Sequence, residues 1–162
     1  MFRELRRKKQ ALSMEENKLV LHKGLSGVLA VFGENNYPYT VPLSYVYDGD
    51  KIFFHCAKVG HKLDAIKKNN KVSFCVIDQD QVVPQKYTTY FRSVILFGTV
   101  CILEEEAQKR TAFEKLAAKY SPHHEQGRLE EIDKTFKQVH IIELSIEHMT
   151  GKESIHLVKK FL

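Results

Sequence analysis

The segment Gly60-His61-Lys62 has the residue types of an anion site at the start of a helix. It follows an apolar, strand-like run and precedes Leu63 and Ile66, whose spacing is helical. The first turn of a helix presents free backbone N–H groups and a partial positive charge, and both favour an anion. Lys62 adds a full positive charge where the helix dipole disfavours one. A bound phosphate and a solvated surface lysine explain this spacing equally well.

A second candidate is the pair His55-Cys56, which has the side chains of a cysteine–histidine nucleophile. Successive residues of a strand point to opposite faces, so these two side chains diverge and do not form a catalytic dyad. We therefore expect Cys56 to lie in the core. His55 shares a face with Phe53, and we expect it in a ligand cleft or in a satisfied interior position.

The other histidines and the cysteines follow no metal or disulfide pattern. His123-His124 lies in a loop and has no carboxylate or cysteine at ligand spacing, so we predict no metal site. The cysteines, Cys56, Cys75 and Cys101, are odd in number, lack C-x-x-C spacing and lie in apolar runs. This usage predicts buried, reduced thiols in a cytoplasmic protein.

Five basic residues crowd the start of the chain: Arg3, Arg6, Arg7, Lys8 and Lys9. The formal net charge of the whole chain is +5, so the remainder is near neutral. Such an arm could contact nucleic acid or an acidic membrane surface, but Phe2 is its one aromatic residue. A solvated arm, or a lead-in to the first helix, is the favoured interpretation, and we expect neither a nucleic-acid nor a membrane partner.

Length and composition suit one soluble domain. The chain has 162 residues, of which 43% are hydrophobic and 28% charged. The longest apolar stretch, residues 94–103, is too short to cross a bilayer. The sequence contains no P-loop, G-x-G-x-x-G or G-x-S-x-G motif.

The order of predicted elements favours a mainly β (α+β) fold. Ser13 to Glu16 form an S-x-x-E capping box, which predicts a helix ending near Gly24. Pro42 within a strand implies an edge, a bulge or an unpaired amide position, and Gly98 implies a bend.

Strands are expected over residues 27–32, 39–47, 51–57, 71–77, 90–103 and 139–148. Further helices are expected over 60–68, from 104–106 to before Pro122, and over about 128–137. A polar loop is expected over 78–88.

These elements predict an antiparallel barrel with helices covering its openings, and they exclude a regularly alternating parallel α/β sheet. We divide the chain into a basic N-terminal arm (1–12), a barrel domain (13–150) and a C-terminal tail (151–162).

Three blocks carry a family resemblance. They are Gly27 to Ala30 followed by Tyr37 to Leu43, then Phe54 to Ala57 followed by Gly60 to Asp64, and finally Phe91 to Gly98. In this order and spacing the chain resembles the flavin-binding split-barrel superfamily, and within it the pyridoxamine phosphate oxidase-related proteins of the nitroimidazole-resistance type. The resemblance implies a six-stranded antiparallel split β-barrel with flanking helices, and a homodimer with FMN, or alternatively FAD, at the interface.

The same resemblance implies the site residues. His61 and Lys62, after Gly60, would bind the flavin phosphate. The isoalloxazine ring would lie against the strand residues Val41, Pro42, Leu43 and Ser44. The ribityl chain or the ring would lie beside His55, Cys56 and Ala57. The partner subunit would supply Arg92, Ser93 and Val94.

The implied activity is that of a flavin-dependent oxidoreductase acting on a small molecule that the sequence does not identify. Reduction of a nitro group is the activity proposed for the nitroimidazole-resistance type, and His55 is our candidate catalytic residue. The true oxidases carry a C-terminal segment with Trp and Arg, but this chain has no Trp. Pyridoxamine phosphate oxidation is therefore not expected. The alternative is a non-catalytic flavin- or haem-binding module.

Overall fold

The computed structural model describes residues 2–158, which form seven strands and four α-helices. The first residue of the predicted arm and the last four of the predicted tail lie outside these residues. The strands are β1 (Ser26–Phe32), β2 (Pro38–Ser44), β3 (Val46–Asp48), β4 (Lys51–Ala57), β5 (Lys71–Val83), β6 (Thr88–Ile102) and β7 (Val139–Glu153). The helices are α1 (Met14–Lys23), α2 (His61–Lys68), α3 (Glu106–Tyr120) and α4 (Glu125–Thr135).

The predicted capping box starts α1. The hydroxyl oxygen of Ser13 accepts from the Glu16 amide at 3.2 Å, and the Glu16 carboxylate accepts from the Ser13 amide at 2.8 Å. The helix ends at Gly24, as predicted. Glu105 caps α3 by accepting from the amides of Ala107 and Gln108, so both helices begin where an acidic side chain satisfies free N–H groups.

The strands form one antiparallel sheet in the order β2-β1-β5-β6-β7-β4-β3. The two outermost strands, β2 and β3, are consecutive in the chain and separated by Tyr45 alone. The sheet must therefore curl until its two edges meet at this residue, although they do not pair with one another. This curled, incompletely closed sheet confirms the predicted split-barrel class.

The core fills the inside of the curled sheet. Leu29, Phe54, Phe74, Leu96 and Ile142 are fully buried there. Helix α1 contributes Val20 and Leu21 to this core, whereas α3 packs Ala112 and Leu116 over Phe53 and Ile141 on the outer face of β4 and β7. The strands thus bury one face against α1 and, locally, the other against α3.

The sheet has seven strands, not the expected six, because the predicted strand 39–47 is interrupted at Tyr45. The Tyr45 amide donates to the Tyr120 hydroxyl at 2.8 Å, and the Tyr45 hydroxyl donates to the Leu21 carbonyl at 2.8 Å. These bonds to two helices take Tyr45 out of strand pairing. Tyr45 and Tyr47, two residues apart, are both buried on the same side of the sheet.

Strands β5 and β6 are longer than predicted. They pair with each other through residues 79–83 and 88–92, so most of the expected 78–88 loop is wrong. Strand β7 continues through residues 151–153 opposite β6. The expected bend at Gly98 is a register shift between Phe97 and Gly98, where an added Cβ would lie 2.0 Å from the Ser145 carbonyl oxygen.

The cysteines differ in exposure. Cys56 is buried as predicted, Cys75 is half-buried and Cys101 is exposed. The expectation of three buried thiols is therefore wrong for Cys101, which lies on the outward face at the far end of β6.

Candidate functional site

The candidate site lies where β4 ends and α2 begins. Gly60 is the N-cap of α2 and has φ +141°, a conformation that favours glycine. Its carbonyl accepts from the Leu63 amide at 2.9 Å, while no side chain caps the His61 and Lys62 amides in the described chain. A Cβ placed on Gly60 would meet no atom within 4 Å. The helix start is therefore open to an acceptor from outside.

Two lysines, Lys58 and Lys62, flank this helix start. Burial and then the Lys62 charge lower the pKa of His55. Burial, followed by the charges of Lys58, Lys109 and Lys67, lowers the pKa of His140. Asp64 is the one acidic residue in the first turn of α2. The cations therefore outnumber the carboxylate, which is the balance that a bound anion requires.

Strand β2 is a sheet edge beside the site. It pairs with β1 alone, so of the three positions that Pro42 allows, namely an edge, a bulge or an unpaired amide, the structure has the edge. The side chains of Pro42 and Ser44 are exposed, whereas Val41 and Leu43 pack against the core. Of the four predicted ring-lining residues, two can offer side chains to a ligand and two can offer backbone groups.

Strand β4 alternates in the same way. His55 and Ala57 are exposed, and Cys56 between them is buried. Burial raises the pKa of Cys56 against the opposing effect of Lys62, which keeps the thiol protonated. The His55 ring stacks on Phe113 of α3, with 6.2 Å between ring centroids. The two side chains diverge as predicted, and only His55 faces the surface.

His61 does not project freely from the helix start. Its ring stacks on Tyr39 of β2, with centroids 4.1 Å apart and an interplanar angle of 26°. Tyr39 thereby links the edge strand to α2. The sequence gives no signal for this contact, because Tyr39 and His61 are 22 residues apart.

The residues predicted to come from a partner subunit lie elsewhere in the chain. Arg92 donates to Glu153 at 2.8 and 3.0 Å and to Asp78 at 3.4 Å, and Val94 is fully buried. In the strand register, Arg92 lies opposite Glu153 of β7 and His55 lies opposite Ile141. The residues predicted to come from a partner and the residues around His55 therefore meet β7 at positions twelve residues apart. That is roughly 40 Å along an extended strand. One chain therefore does not bring them together.

An apolar surface covers the outward face of β1, β5 and β6. We call it the outer face, and the register places Ser93 and Ile95 on it. Phe32 is 62% exposed and Ile95 41% exposed. Phe2 stacks on His148 at one end, with centroids 4.6 Å apart, and borders a cavity of about 460 Å³. The residues of the outer face are Val28, Ala30 and Phe32 of β1, Ser73, Cys75 and Ile77 of β5, and Ser93, Ile95 and Phe97 of β6.

The described residues contain no group of three or more His, Cys, Asp or Glu side chains able to hold a metal ion. Nor does any helix within residues 2–158 have the length and apolar character needed to span a membrane.

A family model described as pyridoxamine 5'-phosphate oxidase matches residues 13–153. No curated protein matches the sequence. Among solved structures, the flavocytochrome Anf3 of Azotobacter vinelandii aligns with a TM-score of 0.78 and 20% identity over 93% of this chain and 72% of that chain. An FAD and heme binding protein of Mycobacterium smegmatis aligns with a TM-score of 0.75 and 20% identity, over 94% and 76%.

A third similar structure is a proposed 5-nitroimidazole antibiotic resistance protein of Bacteroides thetaiotaomicron. It aligns with a TM-score of 0.73 and 19% identity over 88% of this chain and 86% of that chain. At these identities the three alignments establish a shared fold.

Proposed function

The chain belongs to the pyridoxamine 5'-phosphate oxidase family, and from this membership we propose that it binds a flavin, FMN or alternatively FAD, and acts as a flavin-dependent oxidoreductase. The observation that carries the proposal is the open, glycine-capped start of α2, which is joined to the sheet edge β2 by the Tyr39–His61 stack and is flanked by Lys58 and Lys62. Two of the structural neighbours are described as a flavocytochrome and as an FAD and heme binding protein.

The donor set fits a flavin phosphate. The free amides of His61 and Lys62 would donate to the phosphate oxygens, and the Lys62 ammonium would balance its charge. The His61 ring is held by Tyr39, so we assign it a positioning role in which its backbone amide makes the contact.

The edge strand fits a flat heterocycle. Since β2 pairs on one side only, part of its backbone N–H and C=O groups face away from the sheet. Groups of this kind near Leu43 and Ser44 would orient the polar edge of the ring, and Pro42 would pack against its face. A bound flavin supplies the hydride or electron transfer, and the protein holds it in place.

His55 is the proposed catalytic residue. Its side chain reaches the surface, and the partial burial of its ring together with the Lys62 charge lowers its pKa, which favours the neutral imidazole. A neutral imidazole can accept a proton near a substrate and, once protonated, can return it. A nitro compound is our candidate substrate, since one structural neighbour is a proposed nitroimidazole resistance protein.

We further propose a homodimer that buries the outer face. Exposed Phe32, Ile77 and Ile95 make this surface apolar beyond the few scattered residues usual on a monomer. Ser93, which faces outward there, would approach the flavin of the second subunit, with Arg92 and Val94 beside it in the strand.

The test is the absorbance spectrum of the purified protein, followed by chromatography of any released chromophore. Flavin bands and released FMN or FAD are expected, with bleaching when an electron donor is added. A colourless protein that fails to bind added FMN would overturn the proposal.

The second candidate is a non-catalytic flavin- or haem-binding module. The exposed side chains of β2 favour it, because Pro38, Thr40, Pro42 and Ser44 include no titratable group. A flavin-loaded protein whose flavin is not reduced by electron donors, or is not reoxidised by electron acceptors, would support this candidate. A Soret band would identify haem and direct attention to His55.

A further inference from the structure

The basic N-terminal arm is docked on the sheet and brings Phe2 to the outer face. The Leu12 amide donates to the Gly151 carbonyl at 3.0 Å. At the other end of the arm, the Phe2 ring stacks on His148 with centroids 4.6 Å apart, and its centroid lies 5.4 Å from that of Phe97. The expected solvated arm is thus held at both ends.

The cavity beside Phe2, which we call the outer-face cavity, has a floor of small side chains. In the strand register Ala30 lies opposite Ser73, and Ser73 lies opposite Phe97. Opposite residues of antiparallel strands share a face, so these three side chains form one row across the outer face. Phe32 follows Ala30 on the same face of β1, two residues further along. The small side chains of Ala30 and Ser73 therefore leave a depression between bulkier ones.

Three phenylalanine rings line the outer-face cavity, whose volume is about 460 Å³. They belong to Phe2 of the arm, Phe32 of β1 and Phe97 of β6, and each ring is exposed. Each can therefore offer ring surface to a bound molecule. Small-molecule sites are concave, mostly apolar and commonly about 300–1,000 Å³ in volume. The size and the lining of this cavity are thus those of a small-molecule site.

The charges that border the outer-face cavity cancel. Lys71 and Glu147 are the charged residues of its lining within the described chain, one of each sign. Ser73 and Asn36 add neutral polar groups. Asn36 has φ +63° and follows Asn35 with φ +54°, so a left-handed turn, which asparagine tolerates, holds it between β1 and β2. A neutral molecule suits this balance better than a phosphate or an ammonium ion does.

We propose that the outer-face cavity binds a neutral, flat aromatic molecule of about two fused rings. Aromatic rings prefer offset-stacked or edge-to-face contacts, and three phenylalanines around a low floor can offer these to a flat ligand. The neutral polar groups would orient a substituent such as a hydroxyl. The proposal rests neither on flavin binding nor on a catalytic role for His55.

A second copy of the chain is the competing occupant, because the cavity lies within the surface that we propose as the dimer interface. Ile77 and Ile95 are exposed on this surface but do not line the cavity. They lie in the neighbouring rows, opposite Ser93 and Cys75. A second copy that packs on these isoleucines would close the cavity over a ligand without entering it.

The probe is 2-naphthol, a neutral and flat two-ring molecule, titrated calorimetrically into the FMN-saturated full chain. Saturation with FMN is needed because Pro42, the proposed ring contact, lies on the same face as Ala30. We expect saturable binding that FMN does not abolish. Decahydro-2-naphthol, the saturated and puckered counterpart, should bind about threefold more weakly or worse. If the protein takes up no FMN, the same titration of the protein as purified still tests the cavity, so the two proposals fail separately.

The deciding comparison is between Ser73→Leu and Cys75→Leu. Both positions are half-buried on the same face of β5, but only Ser73 lines the cavity. Ser73→Leu fills the floor and should raise the 2-naphthol Kd about tenfold or more, whereas Cys75→Leu should leave it within about twofold.

Phe2→Ala tests the wall that the arm supplies, and it leaves the sheet unaltered if Ser73→Leu does not fold. We expect it to raise the 2-naphthol Kd about three- to tenfold. Leu5→Ala is its control, because Leu5 belongs to the same arm and does not line the cavity. It should leave the Kd within about twofold.

Four results would overturn the proposal. One is the absence of 2-naphthol binding at millimolar concentrations in the unaltered protein and in Ile95→Glu, which puts a charge on the proposed interface. Another is an equal loss in Ser73→Leu and Cys75→Leu, which would place the probe on the apolar outer face at large. Binding by Ile95→Glu alone would show that a second copy fills the cavity. Equal affinity for the saturated probe would exclude recognition of a flat ring.

Discussion

Lys62 is the side chain on which the proposed cofactor site depends most, because it puts a full charge at the open start of α2. Lys62→Gln should weaken FMN about tenfold or more, since a charge-assisted hydrogen bond to phosphate contributes about 1.5–3 kcal/mol. The same change should raise the pKa of His55, because the Lys62 charge is one of the two causes that lower it. Fluorescence titration measures the first effect, and NMR titration of the His55 ring the second.

Lys68→Gln is the matched control, because it removes the same charge from the last turn of the same helix. We expect it to change FMN affinity less than twofold or so. Equal weakening by both variants would mean that the net charge of α2, and not a contact at its start, attracts the cofactor.

At this scale the sequence predicted what depends on neighbouring residues. The glycine-capped helix start at Gly60 to Lys62 follows from local spacing, and the divergence of His55 and Cys56 follows from strand geometry. The stacking of His61 on Tyr39 and the pairing of Arg92 with Glu153 join residues far apart in the chain. No local pattern encodes such contacts, because they depend on how the whole sheet curls.

At the scale of elements, the C-terminal end of α3 fixes the corner where the two sheet edges meet. Tyr120 accepts from the Tyr45 amide, and the Lys119 ammonium donates to the carbonyls of Gly24 and Tyr45 at 2.5 and 2.9 Å. Lys119 also lies 4.0 Å from the centre of the Tyr45 ring. One helix end thus ties the β2–β3 junction to the chain segment after α1.

This arrangement predicts a dependence of stability on pH. Burial lowers the pKa of Lys119 from 10.5 to about 8. Between these two values the folded chain has released the proton while the unfolded chain retains it, so the contribution of Lys119 makes the free energy of unfolding rise with pH. The neutral amine keeps two N–H donors for its two carbonyl partners. Lys119→Met should therefore reduce this rise between pH 7.5 and 9.5 in urea unfolding.

Lys115→Met is the control, since Lys115 lies on the same helix with its side chain 43% exposed. It should leave the difference in unfolding free energy between the two pH values close to that of the unaltered chain. If Lys119→Met and Lys115→Met give the same difference, Lys119 keeps its proton in the folded chain.

The sequence mispredicted the elements whose residues do not alternate between a buried and an exposed face. Residues 79–83 pair with β6 but are mostly exposed, so their polarity suggested a loop where hydrogen bonding forms a strand. The break at Tyr45 depends on a hydroxyl 75 residues further along the chain. Helix starts, which depend on capping residues, were predicted more closely, as α1 and α2 show.

At the scale of the whole molecule, the sheet has two surfaces with different tasks. Its inside is the core, and α3 covers the outside of β4 and β7. The outer face of β1, β5 and β6 has no helix over it within the described residues, and it remains apolar. A second copy of the chain is the covering that we propose, because the same surface on each subunit can bury its counterpart in a two-fold dimer.

Ile95→Glu tests this assembly, since it puts a charge at the centre of the outer face. A carboxylate buried without a partner costs several kcal/mol, which is enough to dissociate most dimers at micromolar concentration. We expect light scattering after size exclusion to give about twice the chain mass for the unaltered protein and a single chain mass for Ile95→Glu. Leu129→Glu, on α4 with a similar exposure of 37%, should remain dimeric. A dimer that survives Ile95→Glu would move the interface away from this face, and with it the approach of Ser93 to the flavin.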